Sequence, residues 1–240
     1  MVNLLLMRHP NPFITAFLNV PEWPWKNELR RWLGFSRCVP NFIQDFSPLK
    51  GYERVDQLRP GDIVVDAGAY PGDYTLFAAK QVGSLGKVIA LEPDPENRKV
   101  LQRNIDHSGF QNVTILPFGL WDSENALALD SDGVASSLSH GSAEISTIPV
   151  KPLDAILQDA GLEKIDVLKM DIEGAELHAL KGAEKTLRSC RYVCVASYHI
   201  VDGETTATRV EEILKASGFD VKTGYPKHLT TTGVHSTSRS

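Results

Sequence analysis

Acidic residues stand at the ends of three apolar runs, and their spacing defines the chemistry open to this chain. Asp66 closes Ile63-Val64-Val65 and opens a glycine-bearing turn, Ala67-Gly68-Ala69-Tyr70-Pro71-Gly72, that runs into Asp73, Tyr74 and Thr75. Glu92 closes Lys87-Val88-Ile89-Ala90-Leu91, and Asp171 and Glu173 follow Ile165 to Met170. A strand that turns sharply into a helix presents free N–H groups at the carboxyl end of the sheet. An acid at the tip of the second strand can accept the hydroxyl hydrogens of a ribose. Glycine turn and distal acid together read as a nucleoside site. The turn does not fit the dinucleotide fingerprint G-x-G-x-x-G: Tyr70 occupies the middle glycine position, and a phenol there obstructs a pyrophosphate resting on backbone. A nucleoside without a pyrophosphate fits better.

The pair Asp171 and Glu173 adds a second acidic tip. Neighbouring carboxylates there can accept a hydrogen bond from a cofactor amine, orient an acceptor hydroxyl, act as a base or bind a divalent cation. They can also simply cap the helix that follows, since acids favour helix N-termini. No metal ligand set is assigned from the sequence. His199 ends the next apolar run, beside Tyr198. A histidine at a strand tip is suited to take a proton near neutral pH, and its alternative is a structural role. His107 and His140 have weaker claims, one at a helix end and the other in an irregular stretch.

The elements that must position these groups alternate regularly from Gly61. β-branched residues favour a buried strand at 62–67. A helix over 73–82 presents Leu76, Phe77 and Ala79, and Gly83 and Gly86 end it. A strand follows at 87–92. Pro95 suits the first turn of a helix reaching about Ser108, with Val100, Leu101 and Ile105 as its apolar stripe and Gly109 as its stop. The next strand is Val113 to Leu116, leading into Phe118-Gly119-Leu120-Trp121-Asp122. These strand–helix repeats predict a parallel, doubly wound sheet. Residues 123–149 break the rhythm. Short alternating pieces at 126–129 and 144–150 read as edge strands or a hairpin, serving as a lid over an acceptor or as a plain surface loop. A helix over 153–160, a strand at 165–172, a helix from Glu176, a strand at 192–198, a helix over 206–217 and a strand at 219–223 complete the rhythm. A last strand around 229–234 is weakly indicated, and the tail from Ser236 is expected to be disordered.

Residues 1–60 are different in kind. They are rich in aromatics, among them Trp23, Trp25 and Trp32, and Pro21 and Pro24 interrupt any long helix. They read as a helical cap on the main domain of residues 61–235. Their rings offer a lining for an acceptor pocket or a contact for a homodimer.

Composition narrows the function classes. A formal net charge of −5 makes no global electrostatic case for nucleic acid or an anionic membrane surface. The odd set Cys38, Cys190 and Cys194 contains no C-x-x-C pair, which argues against a disulfide framework or a zinc knuckle. Cys194 reads as a small core residue. No run approaches membrane-spanning length, and the chain reads as cytoplasmic.

Several motifs carry a more specific resemblance. The pattern Asp66-x-Gly68-x-x-x-Gly72 resembles the first motif of class I S-adenosylmethionine-dependent methyltransferases. Asp66-Ala67-Gly68-Ala69, Leu91-Glu92-Pro93-Asp94-Pro95-Glu96-Asn97, Pro152-Leu153-Asp154, Leu168-Lys169-Met170-Asp171-Ile172-Glu173-Gly174-Ala175-Glu176 and Leu180-Lys181-Gly182-Ala183 resemble the FkbM family of methyltransferases. The likeness covers roughly residues 60 to 200. It implies a Rossmann-like, mostly parallel sheet with an antiparallel last strand, S-adenosylmethionine as cofactor, and a small-molecule or sugar hydroxyl as acceptor. It implies that Asp66, Gly68, Ala69, Tyr70, Gly72 and Thr75 shape the methionine side of the site. Glu92 and Pro93 would then meet the ribose, Phe118 and Gly119 the adenine, and Asp171 the methyl donor, with Glu173 and His199 beside it. Many members carry Asn where this chain has Tyr70, and Glu near Ser197 or Tyr198. Two other functions remain open at this point: a nicotinamide-dependent oxidoreductase on a similar sheet, and a nucleoside-binding protein without catalysis.

Overall fold

The computed structural model describes residues 58–129, 146–224 and 229–236. The aromatic-rich segment before Leu58, the middle of the 123–149 stretch with His140, and the tail after Ser236 lie outside the described residues, so the expectations of a helical cap and a disordered tail stay as they are.

The main sheet has seven strands: β1 (Ile63–Ala67), β2 (Lys87–Leu91), β3 (Val113–Leu116), β7 (Val167–Met170), β8 (Tyr192–Ala196), β11 (Phe219–Gly224) and β12 (Thr230–His235), in the order β11-β12-β8-β7-β1-β2-β3. β1 lies inside the sheet and pairs in parallel with both β2 and β7, and β7 pairs in parallel with β8. β12 runs antiparallel to both of its neighbours, β8 and β11. The expected mostly parallel sheet with an antiparallel last strand is therefore what forms.

Both faces of the sheet are covered, as parallel strands require. Successive side chains on a strand point to opposite faces, and β1 shows both destinations. Val64 joins Ala78, Ala79 and Val82 of helix α1 (Asp73–Val82) on one face. Val65 joins Leu153, Leu180 and Leu214 on the other. Those leucines come from α3 (Leu153–Asp159), α4 (Glu176–Lys181) and α6 (Ala207–Ala216). Helix α2 (Pro95–Ser108) buries Leu101 and Ile105 beside Leu76 and Ala90. Asp94 caps α2 by accepting from the N–H of Asn97 at 2.8 Å, the role its side-chain oxygen predicts at that position.

Some elements differ from the sequence expectation. β7 and β8 are shorter than the apolar runs that contain them, so Asp171 and His199 sit beyond the strands in irregular backbone. A short helix, α5 (Glu184–Leu187), follows α4. A two-residue hairpin, β9 (Ile200–Val201) and β10 (Glu204–Thr205), turns at Asp202 and Gly203 with φ of 57° and 85°. Two positive φ values are what a tight hairpin turn needs, and Asp-Gly supplies them. The pieces at 125–129 and 146–151 do form a hairpin, β5 (Asn125–Leu129) with β6 (Ser146–Lys151), and β6 also pairs with β4 (Gly119–Leu120) to make a separate three-stranded sheet. Cys190 and Cys194 are fully buried and burial pushes both thiols up to about 12, which fits core residues and not nucleophiles.

Candidate active site

The strand register brings the acidic tips together. Ala67 of β1 sits beside Leu91 of β2 and Met170 of β7, and Met170 sits beside Val195 of β8. The next residues, Gly68, Glu92 and Asp171, therefore leave the same carboxyl edge as neighbours.

Gly68 turns the chain with φ of 74° and its N–H, like that of Ala69, donates to the Leu91 carbonyl at 3.1 Å. A Cβ at Gly68 would run into the Asp171 carbonyl oxygen, so only glycine permits this approach of the β1 and β7 tips. Beneath the turn, Lys169 is buried and donates to Asp66 Oδ1 at 2.8 Å and to the Gly68 carbonyl at 3.0 Å. Thr75 Oγ1 donates to Asp66 Oδ2 at 2.6 Å. Burial works against the Lys169 charge, but Asp66 and Asp171 outweigh it and hold its pKa above the ordinary lysine value. Lys169 thus braces the turn from below. Its sequence signal is a lone lysine inside an apolar strand, where a charge must find a partner.

Glu92 is 5% exposed and faces the cleft from β2's tip. Its Oε2 accepts from the Tyr70 N–H at 3.2 Å and its Oε1 from the Asp94 N–H at 3.1 Å. Burial raises its pKa, and these two N–H groups oppose the rise. Gly68, Tyr70, Glu92, Pro93, Phe118 and Gly119 line the cleft, as do Asp171 and Glu173. Its far wall comes from the second sheet, through Leu120, Leu127, Ile148 and Val150, with Trp121 beside them. Trp121 stacks on His178 at 3.8 Å, and His178 Nδ1 lies 2.7 Å from Asp122 Oδ2.

Not every residue expected at the ligand lies there. Asp66, Ala69, Gly72 and Thr75 do not line the cleft. Asp66 and Thr75 are fully buried and bonded to each other, so they hold the turn from behind. Gly72 begins α1 at φ 110°, where an added Cβ would strike Leu101 of α2.

His199 also differs from its expected setting. It lies off the cleft lining, in a cluster of carboxylates behind Asp171 and Glu173. Its Nε2 is 3.4 Å from Glu173 Oε2 and 3.7 Å from Asp171 Oδ1, and its Nδ1 is 2.8 Å from Glu176 Oε1. Burial alone would lower the imidazole pKa, but Glu173, Glu176 and Asp171 drive it up to about 10. These carboxylates favour the protonated imidazole, which works against the proton-acceptor role expected of His199. Tyr198, overlooked as a site residue, donates its hydroxyl to Asp171 Oδ1 at 3.1 Å. His107 is exposed on α2 and does not line the cleft.

With this geometry in place, likeness to known proteins becomes informative. A family profile for the methyltransferase FkbM domain matches residues 66–221. The hexuronic acid methyltransferase AglP of Haloferax volcanii is 24% identical over 160 residues, which covers 66% of this chain and 65% of that protein. The 31-O-demethyl-FK506 methyltransferase FkbM of Streptomyces tacrolimicus is 28% identical over 201 residues, 69% of this chain and 75% of that protein. A crystal structure of methyltransferase FkbM from Methylobacillus flagellatus KT shares the fold, with a TM-score of 0.57 at 21% identity over 97% of this chain and 60% of that one. The chain thus spans somewhat less than two thirds of the length of the first of these relatives and of that structure.

Proposed function

This chain belongs to the FkbM family of methyltransferases, and from that premise we propose that it moves a methyl group from S-adenosylmethionine to a hydroxyl oxygen of a small molecule or sugar. The observation that carries the proposal is the meeting of Gly68, Glu92 and Asp171 at one cleft edge. The donor set fits the cofactor. A buried carboxylate facing the cleft suits a pair of ribose hydroxyls, which are donors. Phe118, Leu120 and Ile148 offer an apolar slot for adenine, and Gly68 lets the backbone approach without a side chain. When bound, S-adenosylmethionine supplies a methyl group already activated on a sulfonium sulfur.

The protein's own contribution is alignment more than acid chemistry. Glu92 holds the ribose end. Asp171, fixed by Tyr198, accepts a hydrogen bond from the cofactor's amine or from the acceptor. The second sheet walls off one side from water. The two relatives named above are, by their names, methyltransferases of a hexuronic acid and of a demethylated oxygen. That favours oxygen as acceptor and methyl transfer over hydride transfer. Among the described residues no helix is long and apolar enough to cross a membrane.

Isothermal titration with S-adenosylhomocysteine and with NAD tests the reading. Binding of S-adenosylhomocysteine and none of NAD is expected; the reverse would remove the proposal. A screen of cell extract with methyl-labelled cofactor then finds the acceptor.

A further inference from the structure

We propose that Asp171, Glu173 and His199 form a site for a divalent cation, of the Mn2+ or Mg2+ kind, at the acceptor end of the cleft. The proposal rests on the methyl-transfer reading above for its purpose, though not for its geometry. One donor atom from each of the three side chains lies within 4.8 Å of the others. The distances from His199 Nε2, 3.4 Å to Glu173 Oε2 and 3.7 Å to Asp171 Oδ1, are close to those between ligands that share one ion at bonds of about 2.1 Å, which stand roughly 3–3.5 Å apart.

An acidic cluster alone would not suffice, because such clusters are common on surfaces. The histidine supplies the independent observation. Its side chain is 9% exposed, and neither ring nitrogen makes an aligned hydrogen bond. Nε2 lies within 3.7 Å of an oxygen of each of the two carboxylates. Nδ1 lies 2.8 Å from Glu176 Oε1, off the line of a hydrogen bond, and Glu176 is fully buried. A small rotation of the ring on binding a cation would let Nδ1–H donate to Glu176, the arrangement that orients metal-bound histidines. Glu173 reaches its position through a left-handed backbone, φ 53°, followed by Gly174 at 97°.

The donor set indicates the kind of ion. Two carboxylates and one imidazole suit a hard or borderline cation that keeps several oxygen ligands. Asp171 and Glu173 line the cleft, and the Glu173 side chain is 70% exposed, so the remaining coordination positions open toward an acceptor. A proton on Nε2 and a cation at Nε2 are alternatives for the same carboxylates. A hydroxyl oxygen bound to the cation would be made more acidic, so that it could pass its proton to water as it takes the methyl group and S-adenosylhomocysteine leaves, with no imidazole base.

The experiment is titration of Mn2+ into chelator-treated full-length protein, read as loss of the free-ion electron paramagnetic resonance signal, alongside S-adenosylhomocysteine titration of the same samples. One equivalent of bound Mn2+ is expected, competed by Mg2+. His199→Ala and Glu173→Gln should abolish saturable binding, and Glu176→Gln should weaken it ~10–100-fold. Glu173→Gln, at an exposed side chain, should keep its circular dichroism. Absence of saturable Mn2+ binding by the wild-type protein, or equal binding by His199→Ala and Glu173→Gln, would overturn the site and leave an imidazolium held by carboxylates. Mn2+ binding without S-adenosylhomocysteine binding would keep the cation site and sink the methyl-transfer reading instead.

Discussion

Glu92 carries a conflict between burial and charge. It is a carboxylate, nearly buried, with two backbone N–H groups and the Asn97 side chain to offset the loss of water. Its pKa is therefore raised in the fold by burial. A carboxyl with a raised folded pKa helps stability below the ordinary glutamate range and loses that help as pH climbs through the raised value. Glu92→Gln should accordingly raise the melting temperature of the ligand-free protein at neutral pH by ~2 °C or more, the shift expected for about 1 kcal/mol in a domain of this size. The same change, and Glu92→Ala, should weaken S-adenosylhomocysteine about tenfold or more, because a charge-assisted hydrogen bond is worth roughly 1.5–3 kcal/mol. Wild-type affinity should fall as the solution is acidified through that raised value. Unchanged affinity in a folded Glu92→Ala protein would remove the ribose assignment. Lys169 poses the opposite case, a buried charge that is fully answered. Lys169→Met leaves Asp66 charged and unpaired, and should cost roughly 3–5 kcal/mol in urea unfolding. Adding Asp66→Asn should recover part of that loss; no recovery would mean that Lys169 matters for reasons other than the pair.

At the scale of elements, the site depends on how closely β1 and β7 end. The Asp171 N–H donates to the Ala67 carbonyl at 3.0 Å, and Gly68 leaves room for the Asp171 carbonyl oxygen. Gly68→Ala meets both a positive φ and that oxygen, so it should destabilise by more than ~1 kcal/mol and weaken S-adenosylhomocysteine in proportion to the displacement of the strand tip. Gly83→Ala is the control, since it also has a positive φ, 66°, but meets nothing within 4 Å. Gly83→Ala should cost stability without affecting ligand affinity. An equal loss of affinity in both proteins would show that the strand-tip contact is not what matters. The second sheet has a different part. It joins β4, just after β3, to the β5–β6 hairpin, and brings Leu127, Ile148 and Val150 to the cleft from outside the main sheet.

For the molecule as a whole, the described helices from residues 73 to 216 cover both faces of the sheet, and among the described residues the cleft is lined from residues 67 to 175. A protein lacking residues 1–57 should therefore fold and bind S-adenosylhomocysteine with affinity close to that of the full chain. Limited proteolysis should yield a core that starts near residue 50 to 60. Loss of cofactor binding by a truncated protein that still unfolds cooperatively would show that the aromatic-rich segment contributes to the cofactor site and not to the acceptor alone.

The sequence by itself determined the parts of this protein that local pattern encodes. Apolar runs rich in β-branched residues, glycines at helix ends and Pro95 in a first helical turn placed β1, α1, β2, α2 and β3 with bounds close to those observed. Because parallel strands all end at one edge, the acids at their tips, Glu92 and Asp171, could be assigned to a shared cleft before any contact was known. Tertiary structure alone decided the rest. β12 reads weakly because it is a run of threonines, yet it lies between β8 and β11 with Thr231 Oγ1 2.8 Å from Ser197 Oγ and Thr232 Oγ1 donating to the Lys222 carbonyl. The strand is made tolerable by partners on other strands, which no local pattern reveals. The far wall of the cleft, the bracing of Asp66 by Lys169 across 103 residues, and the carboxylates around His199 share that origin. A protonation state is set by which carboxylates the fold brings within a few ångströms, and for His199 those are three acids from the turn and helix that follow a neighbouring strand.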